Sequence, residues 1–307
     1  MKTYIIPTSA AEYLAKNIKL KAKNFDVIFP DLSRDGKRYF PDGEIYMKIL
    51  KTNNLRGKRV VVLHSGAPKP NEGLGELELI LQILRDNQIK PEVFFSYFPY
   101  GMQDKVFEKG ETNVAENLVE KLVNYYKVKK IYIVDPHFGG RKWVKKYPIV
   151  NISAVPILIK RAKGDFSENI LFFSPDIGGE RRTGFKAMKK ERLSSFNVKM
   201  FPTKVNFKGR IIGVIDDMIK TGGTLLKFWE IAKKSGAKKI IALVTHGVIP
   251  AGILKIKKKY SKLYLTNTIK HRVRRSRARW KMRRSLSDQK ESNIDITNLI
   301  LKNISKI

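Results

Sequence analysis

Cysteine is absent from this 307-residue chain, and histidine occurs only four times. A chain without thiols forms no disulfide and no thiolate metal site. So few imidazoles also give little support to a histidine zinc centre. The absence of cysteine is typical of a reducing compartment, and we expect a cytoplasmic protein.

Long apolar runs are missing as well. No stretch approaches the roughly 18 consecutive apolar residues of a membrane helix. The opening residues, MKTYIIPTSA, carry one lysine and a short apolar stretch, which predicts a first strand rather than a signal peptide. We therefore expect no membrane partner. Hydrophobic residues nevertheless make up 42% of the chain, which is enough for a substantial core.

Acidic residues are scarce relative to basic ones. The chain has 62 Lys and Arg against 28 Asp and Glu, a formal net charge of +34. Such a field favours polyanions and phosphorylated small molecules alike. Residues 270–284 hold nine Lys or Arg and no acid. We interpret 270–290 as a solvated, partly helical arm; the alternative is a nucleic-acid interface in which Trp280 stacks on a base.

Strand and helix patterns alternate along the chain, and several strands are apolar on both faces, as in a covered parallel sheet. This alternation predicts an α/β fold with two similar halves, 1–150 and 151–307, the second carrying the basic insert. Each half is expected to be a mostly parallel sheet flanked by helices. The predicted strands are 4–7, 60–63, 92–97, 130–135, 169–174, 211–216, 239–245 and 262–266.

The most informative segment is VIDDMIKTGGTL at 214–225. Asp216 and Asp217 come at the carboxyl end of a predicted strand, where open α/β sheets place their ligands. Their carboxylates can accept hydrogen bonds from the vicinal hydroxyls of a sugar. A predicted helix then opens with a loop whose backbone N–H groups, hydroxyls and partial positive charge suit a phosphate. The loop consists of Thr221, Gly222, Gly223 and Thr224. The segment predicts a ribose 5-phosphate site.

A second acid-and-glycine turn precedes it, in SPDIGG. The turn consists of Asp176, Ile177, Gly178 and Gly179, followed by Arg181 and Arg182. Exposed backbone donors beside arginines suit a diphosphate, although an ordinary strand-to-helix turn is the alternative. His137 follows another strand, in VDPH. With Asp176 and phosphate oxygens it would make a magnesium environment, since Mg2+ takes few protein ligands; a structural histidine is the alternative.

Three further segments are candidates for nucleotide chemistry. The basic motif Lys189 to Arg192 predicts a flexible loop that closes over transferring phosphoryl groups, although a solvated charge run is the alternative. In the first half, Phe40 stands near Asp42 and Glu44 around a Pro-Asp-Gly turn, and Gln103 and Asp104 follow a strand. An aromatic ring with polar neighbours can bind adenine, but each segment in isolation is typical of a surface turn.

Taken in chain order, the motifs resemble the ribose-phosphate pyrophosphokinase family of the phosphoribosyltransferase superfamily, in its compact archaeal form. The motifs are FPDGEIYMKI, FPYGMQDKVFEKGE, IVDPHFGG, FSPDIGGERR, KKER, VIDDMIKTGGTL, VTHGVIPAG and LTNTI, within residues 1 to 269. The resemblance implies transfer of the diphosphoryl group of ATP to the 1-hydroxyl of ribose 5-phosphate, giving phosphoribosyl pyrophosphate and AMP. It also implies Mg2+ as cofactor and a homo-oligomer with a shared ATP site.

The resemblance assigns a role to each candidate residue. For ATP it implies Phe40, Asp42 and Glu44, supplied by a neighbouring subunit, together with Gln103 and Asp104. It implies His137 and Asp176 as magnesium ligands, Lys190 and Arg192 as catalytic cations, and 176–179 as the diphosphate loop. The ribose 5-phosphate site comprises Asp216, Asp217 and 221–224.

Three departures from the family pattern leave alternatives open. Met102 stands where the family has an arginine before Gln103, Lys220 stands where an acid or a small residue is usual, and 270–290 is extra. Met102 and the arm are the support for a catalytically weakened regulatory homologue. A nucleobase phosphoribosyltransferase would use the same kind of ribose phosphate site at 216–224, but it would need neither the basic motif nor His137.

Overall fold

The computed structural model describes residues 2–187, 189–192, 198–201, 206–270 and 290–305, with backbone only for 189–192 and 198–201. Two compact units emerge: Met1–Ile152 with Thr297–Ile307, and Ser153–Ile296. All of 151–307 was predicted to form the second domain, whereas the last helix groups with the first unit. The division into two functional domains stays a prediction. No helix within the described ranges is long and apolar enough to cross a membrane.

The first unit is built on a six-stranded sheet in the order β2-β1-β3-β4-β5-β6, and every pairing is parallel. Its strands are β1 Thr3–Pro7, β2 Phe25–Val27, β3 Arg59–Ser65, β4 Glu92–Tyr97, β5 Ile131–Val134 and β6 Ile149–Ile152. Its helices are α1 Glu12–Lys21, α2 Pro70–Asp86, α3 Val114–Glu120, which continues as a π-helical turn Lys121–Tyr125, and the terminal helix Thr297–Ile304.

Helix α2 shows how the first unit forms its core. Leu77, Ile80, Leu81 and Leu84 recur at helical spacing, and all four are fully buried. They pack with buried residues of β3, β4 and β5 in one apolar cluster. Since helices cover the sheet, its central strands are apolar on both faces, as the sequence analysis predicted.

The second unit is built on a five-stranded, fully parallel sheet in the order β13-β12-β11-β10-β7. Its strands are β7 Ile170–Phe173, β10 Ile211–Ile219, β11 Lys239–Gly247, β12 Lys262–Thr266 and β13 Glu291–Ile294. Its helices are α4 Val155–Asp165, α5 Ile177–Thr183, α6 Gly223–Lys234 and α7 Pro250–Lys259. The prediction of an α/β fold with two mostly parallel sheets flanked by helices is therefore confirmed.

Strand β10 supplies both cores of this unit, because successive side chains point to opposite faces. Ile212 and Val214 join the cluster that includes apolar residues of α6 and α7. Ile211 and Ile215 join the cluster that includes α4. The strand is thus fixed from both sides, and it carries the acid pair at its carboxyl end.

The basic motif lies in a two-stranded antiparallel ribbon. Strand β8, Lys189–Arg192, pairs with β9, Val198–Phe201. The prediction of a loop was wrong for this backbone, because it considered only charge and missed the partner strand Val-Lys-Met-Phe, which satisfies the ladder. The side chains of Lys190 and Arg192 lie outside the described residues, as do 271–289, most of the basic arm.

Candidate functional site

Asp216 and Asp217 lie within the carboxyl end of β10, which continues to Ile219 rather than ending at 216 as expected. Both are buried, with exposed fractions of 7% and 5%. Burial and the neighbouring charge of Asp217 raise the pKa of Asp216 well above its ordinary value, while Arg182 opposes the shift. A buried acid pair of this kind is ready to accept hydrogen bonds from hydroxyl donors.

Arg182 of α5 binds the acid pair. Its Nη2 lies 3.4 Å from Asp216 Oδ1 and 3.1 Å from Asp217 Oδ1. A Cβ added at Gly178 would lie 3.0 Å from the Arg182 Nη1, so the guanidinium packs over the preceding turn. Its buried Nε has no hydrogen-bond partner within the described parts of the chain. Arg182 was predicted to lie near a diphosphate, whereas its link between this turn and the acids was not predicted.

The turn 176–179 begins α5 with Asp176 as its N-cap. Asp176 Oδ1 accepts a hydrogen bond from Gly179 N at 2.7 Å. A Cβ at Gly179 would lie 3.2 Å from side-chain atoms of both Ser174 and Pro175, so the helix starts close against the strand end. Thr183 Oγ1 donates to Gly179 O at 2.8 Å, which ties the end of α5 to its start. These contacts hold the turn against the end of β7, and Arg182 links it to the acids.

The loop before α6 has the conformation that a phosphate cradle requires. Gly222 has φ +82°, in the left-handed region that favours glycine, and it is the N-cap of α6. Thr221, Gly223 and Thr224 are exposed, while Gly222 is buried. The predicted strand, loop and helix order is confirmed, and the exposed donors stand at a helix N-terminus.

Gly252, which the sequence analysis did not single out, supports this loop from α7. A Cβ at Gly252 would lie 1.9 Å from the carbonyl oxygen of Lys220, so the backbones of helix and loop are in direct contact. Ile256, one turn further along α7, lies within 3.2 Å of a Cβ built at Gly222. The available signal was a glycine in the first turn of a helix, two residues after Pro250.

A buried polar network lies next to β10. His246 on β11 stands in register with Met218, just beyond the acid pair. Its Nδ1 lies 2.9 Å from Thr268 Oγ1, and Thr268 donates to Thr245 O at 3.1 Å. This network fixes the carboxyl ends of β11 and β12. No role was predicted for these residues.

In the first unit, residues 38–46 form a hairpin whose base is anchored and whose tip is exposed. Arg38 Nη2 lies 2.6 Å from Glu12 Oε1, and the Tyr39 hydroxyl donates to Glu72 Oε1 at 2.6 Å. Phe40 remains 49% exposed, although its ring contacts that of Tyr46 edge-on. The predicted ATP residues at the tip, Asp42 and Glu44, are also exposed.

The loops after β4 and β5 meet at the same edge of the sheet. A Cβ at Gly101 would lie 3.8 Å from His137 Cβ. Gln103 is exposed, but Asp104 is 3% exposed, and Arg141 binds both of its carboxylate oxygens, at 2.7 and 2.9 Å. Both oxygens of Asp104 are therefore committed within the protein. This geometry favours a supporting role for Asp104 rather than direct contact with a nucleotide.

The expected magnesium ligands belong to different units, His137 to the first and Asp176 to the second. Both are partly buried. Among the residues with described side chains, no group of three or more His, Asp or Glu is arranged to hold a metal. One carboxylate and one imidazole fit a magnesium ion that takes its other ligands from phosphates and water. The assignment remains a prediction.

Known families match both halves of the chain. Residues 3–126 match the N-terminal domain of ribose phosphate pyrophosphokinase, and residues 188–307 match the phosphoribosyl synthetase-associated domain. The ribose-phosphate pyrophosphokinase of Pyrococcus furiosus is 30% identical over 275 residues, which cover 85% of this chain and 92% of that protein. That of Pyrococcus abyssi is 29% identical over 282 residues, 88% and 93% of the two chains.

Among solved structures, phosphoribosylpyrophosphate synthetase from Mycobacterium smegmatis has a similar fold. The TM-score is 0.78, with 21% sequence identity over 99% of this chain and 98% of that one. At this identity the likeness concerns the fold, and it agrees with the two parallel sheets described above.

Proposed function

Because the chain belongs to the ribose-phosphate pyrophosphokinase family, whose members are transferases, we propose that it transfers the diphosphoryl group of ATP to the 1-hydroxyl of ribose 5-phosphate. The products would be phosphoribosyl pyrophosphate and AMP. The observation that carries this proposal is the buried pair Asp216 and Asp217 at the end of β10, followed directly by the N-terminus of α6.

The sugar phosphate would span these two features. The ribose hydroxyls donate to the carboxylates of Asp216 and Asp217, which stabilises their charged form beside Arg182. The 5-phosphate accepts hydrogen bonds from the loop 221–224 and from the N-terminus of α6. The contact between Gly252 and Lys220 keeps that loop in place.

The diphosphoryl group would lie over the turn 176–179, whose backbone donors and adjacent Arg182 neutralise its charge. His137 and Asp176 would hold Mg2+, which when bound neutralises phosphate charge. Lys190 and Arg192 would stabilise the charge of the transferring group. For ATP, the exposed hairpin of a neighbouring subunit supplies Phe40, Asp42 and Glu44, while Gln103 contacts the nucleotide and Asp104 fixes its loop.

The test is incubation of the purified chain with ATP, ribose 5-phosphate and Mg2+, with AMP and phosphoribosyl pyrophosphate quantified separately. Both products should form in equal amounts, and neither should form without the sugar phosphate. Arg192→Ala is expected to lower kcat about 10³-fold while changing KM little, as for loss of a transition-state contact. AMP formation that does not depend on ribose 5-phosphate would contradict the proposal.

Two competing functions are each distinguished by one further assay. Pyrophosphate released from phosphoribosyl pyrophosphate and a nucleobase would support a nucleobase phosphoribosyltransferase. Met102, 44% exposed beside Gln103, is the observation behind a weakened homologue. If the chain is inactive and Met102→Arg restores turnover, the weakened homologue is the better description.

A further inference from the structure

A shallow cavity of about 600 Å³, open to solvent, lies at the surface of the second unit, between α4 and the segment that follows α5. Its walls include the apolar side chains of Pro156, Ile159 and Phe185, and its polar lining includes Thr183 and two lysines, Lys160 and Lys163. The volume falls within the range of roughly 300–1,000 Å³ typical of small-molecule sites. None of these residues belongs to the ribose phosphate or diphosphate segments proposed above.

Lys160 and Lys163 place two positive charges beside the apolar wall of the cavity. Residues 156, 159, 160 and 163 recur at spacings of three and four, so they share one face of α4. Neither lysine has a carboxylate partner in the part of the chain that the structure describes, and both are exposed. By contrast Arg161, on another face, pairs with Asp165 at 3.4 Å. An apolar surface bordered by two free cations is complementary to a molecule with a flat apolar body and an anionic end.

The other side of the cavity is connected to the diphosphate turn. Phe185 N donates to Thr183 Oγ1 at 3.4 Å, and the same hydroxyl donates to Gly179 O at 2.8 Å. The Phe185 ring also contacts Phe172 of β7 edge-on, with centroids 6.0 Å apart. A molecule in the cavity would therefore press on a segment that is hydrogen-bonded to the turn 176–179.

We propose that this cavity binds a small aromatic phosphate, at a site separate from that of the substrates. The aromatic body packs between Ile159 and Phe185, and the phosphate pairs with Lys160 and Lys163, whose ammonium groups bind phosphate as point charges. This inference goes beyond the proposed reaction and does not depend on it.

The test uses 1-naphthyl phosphate as the probe, titrated into the full chain near physiological ionic strength and followed by its fluorescence. Salt at this level screens the general attraction of a chain with net charge +34 for anions. We expect saturable binding that persists with ribose 5-phosphate in excess. The double variant Lys160→Glu and Lys163→Glu should weaken it at least tenfold.

The matched control is Lys255→Glu with Lys258→Glu, two exposed lysines at the same spacing on α7, which should leave binding unchanged. A third variant, Ile159→Asn, keeps both lysines but makes the wall polar; because Ile159 packs against the core, its binding is measured well below its own thermal midpoint, where it should be weakened. Equal losses in the two lysine pairs, displacement by ribose 5-phosphate, or full affinity in Ile159→Asn would each overturn the proposal. Because each measurement is of binding, the result stands whether or not the chain turns over ATP.

Discussion

Asp216 is placed where a charged carboxylate is unfavourable, beside a second acid and out of water. Because its pKa is raised, the native chain holds a proton there more tightly than the unfolded chain does. The stability that this proton contributes is complete below the pKa of an ordinary aspartate, near 3.9, and is lost as the pH rises through the raised native pKa. Above that raised pKa, the ionised Asp216 makes the fold less stable than a neutral side chain at this position would.

We expect Asp216→Asn to raise the thermal midpoint at pH 7–8, by about 2–4 °C for each kcal/mol relieved, and to raise it less near pH 4. The same change should weaken ribose 5-phosphate binding, since the amide replaces a hydroxyl acceptor. Thermal melts across this pH range and separate titrations of each substrate measure both effects. Asp42→Asn, at the exposed hairpin tip, is the control. A lower midpoint for Asp216→Asn at pH 8 would contradict this account.

His64 is a buried titratable group of the first unit, away from the acid pair in sequence and fully enclosed. Its Nδ1 lies 3.0 Å from Thr8 Oγ1, and its Nε2 has no hydrogen-bond partner among the residues described. Burial lowers the pKa of His64 to about 3. The unfolded chain, with a histidine pKa near 6.5, therefore binds more protons between these two values.

Stability should accordingly fall as the pH is lowered from about 6.5, with a limiting slope of about 1.4 kcal/mol per pH unit from this group. His64→Gln has nothing to protonate, so its slope between pH 6.5 and 5 should be shallower by up to that amount. Urea unfolding at several pH values measures both chains. Parallel slopes would show that His64 is not the group responsible.

At the scale of elements, the direct contact between α7 and the loop before α6 decides where the phosphate donors point. Gly252→Ala would place a methyl group 1.9 Å from the Lys220 carbonyl, well inside van der Waals distance, so loop or helix must shift. We expect ribose 5-phosphate affinity to fall at least tenfold while ATP affinity changes little. Gly164→Ala, which meets no atom within 4 Å near the end of α4, is the matched control. Equal losses for both substrates would indicate a general folding defect instead.

The elements that sequence patterns missed share a position. In the two large sheets, strands β2, β6 and β13 were not predicted, and all three are edge strands, although the fourth edge strand, β7, was predicted. An edge strand is covered less completely, so its residues, such as Glu-Ser-Asn-Ile in β13, lack the continuous apolar run that identified the central strands. Strands 92–97 and 262–266, by contrast, were predicted with the bounds that the structure has.

The same distinction holds for the candidate site. Local motifs sufficed to predict the acids of β10 and the glycine-opened helix after them, because strand, turn and cap chemistry are contiguous in sequence. Contacts between separate elements were not predictable from one sequence. These contacts are Arg182 with the acid pair, Arg141 with Asp104, and Gly252 with Lys220.

At the scale of the whole molecule, the hairpin 38–46 offers a test of the proposed shared ATP site. If the exposed tip enters the ATP site of a neighbouring subunit, Phe40→Ala disables the site of the partner chain. Asp217→Ala disables the site of its own chain. Mixing the two inactive chains after dissociation should then restore activity, to about a quarter of the wild-type value for random dimers, because half of the pairs hold one intact site. Activity assays after mixing measure this recovery. No recovery would indicate that each hairpin serves its own chain.

The terminal helix also belongs to this scale. It packs against α1, buries Ile300 and Ile304, and its Ile304 carbonyl accepts a hydrogen bond from Arg59 of β3. The first unit is therefore discontinuous, with the whole second unit inserted between its pieces. On the ribosome, residues 153–296 are all available before the first unit receives its last helix. The second unit can therefore fold while the first unit still lacks its last helix. The unit whose synthesis begins first is thus the last to be completed.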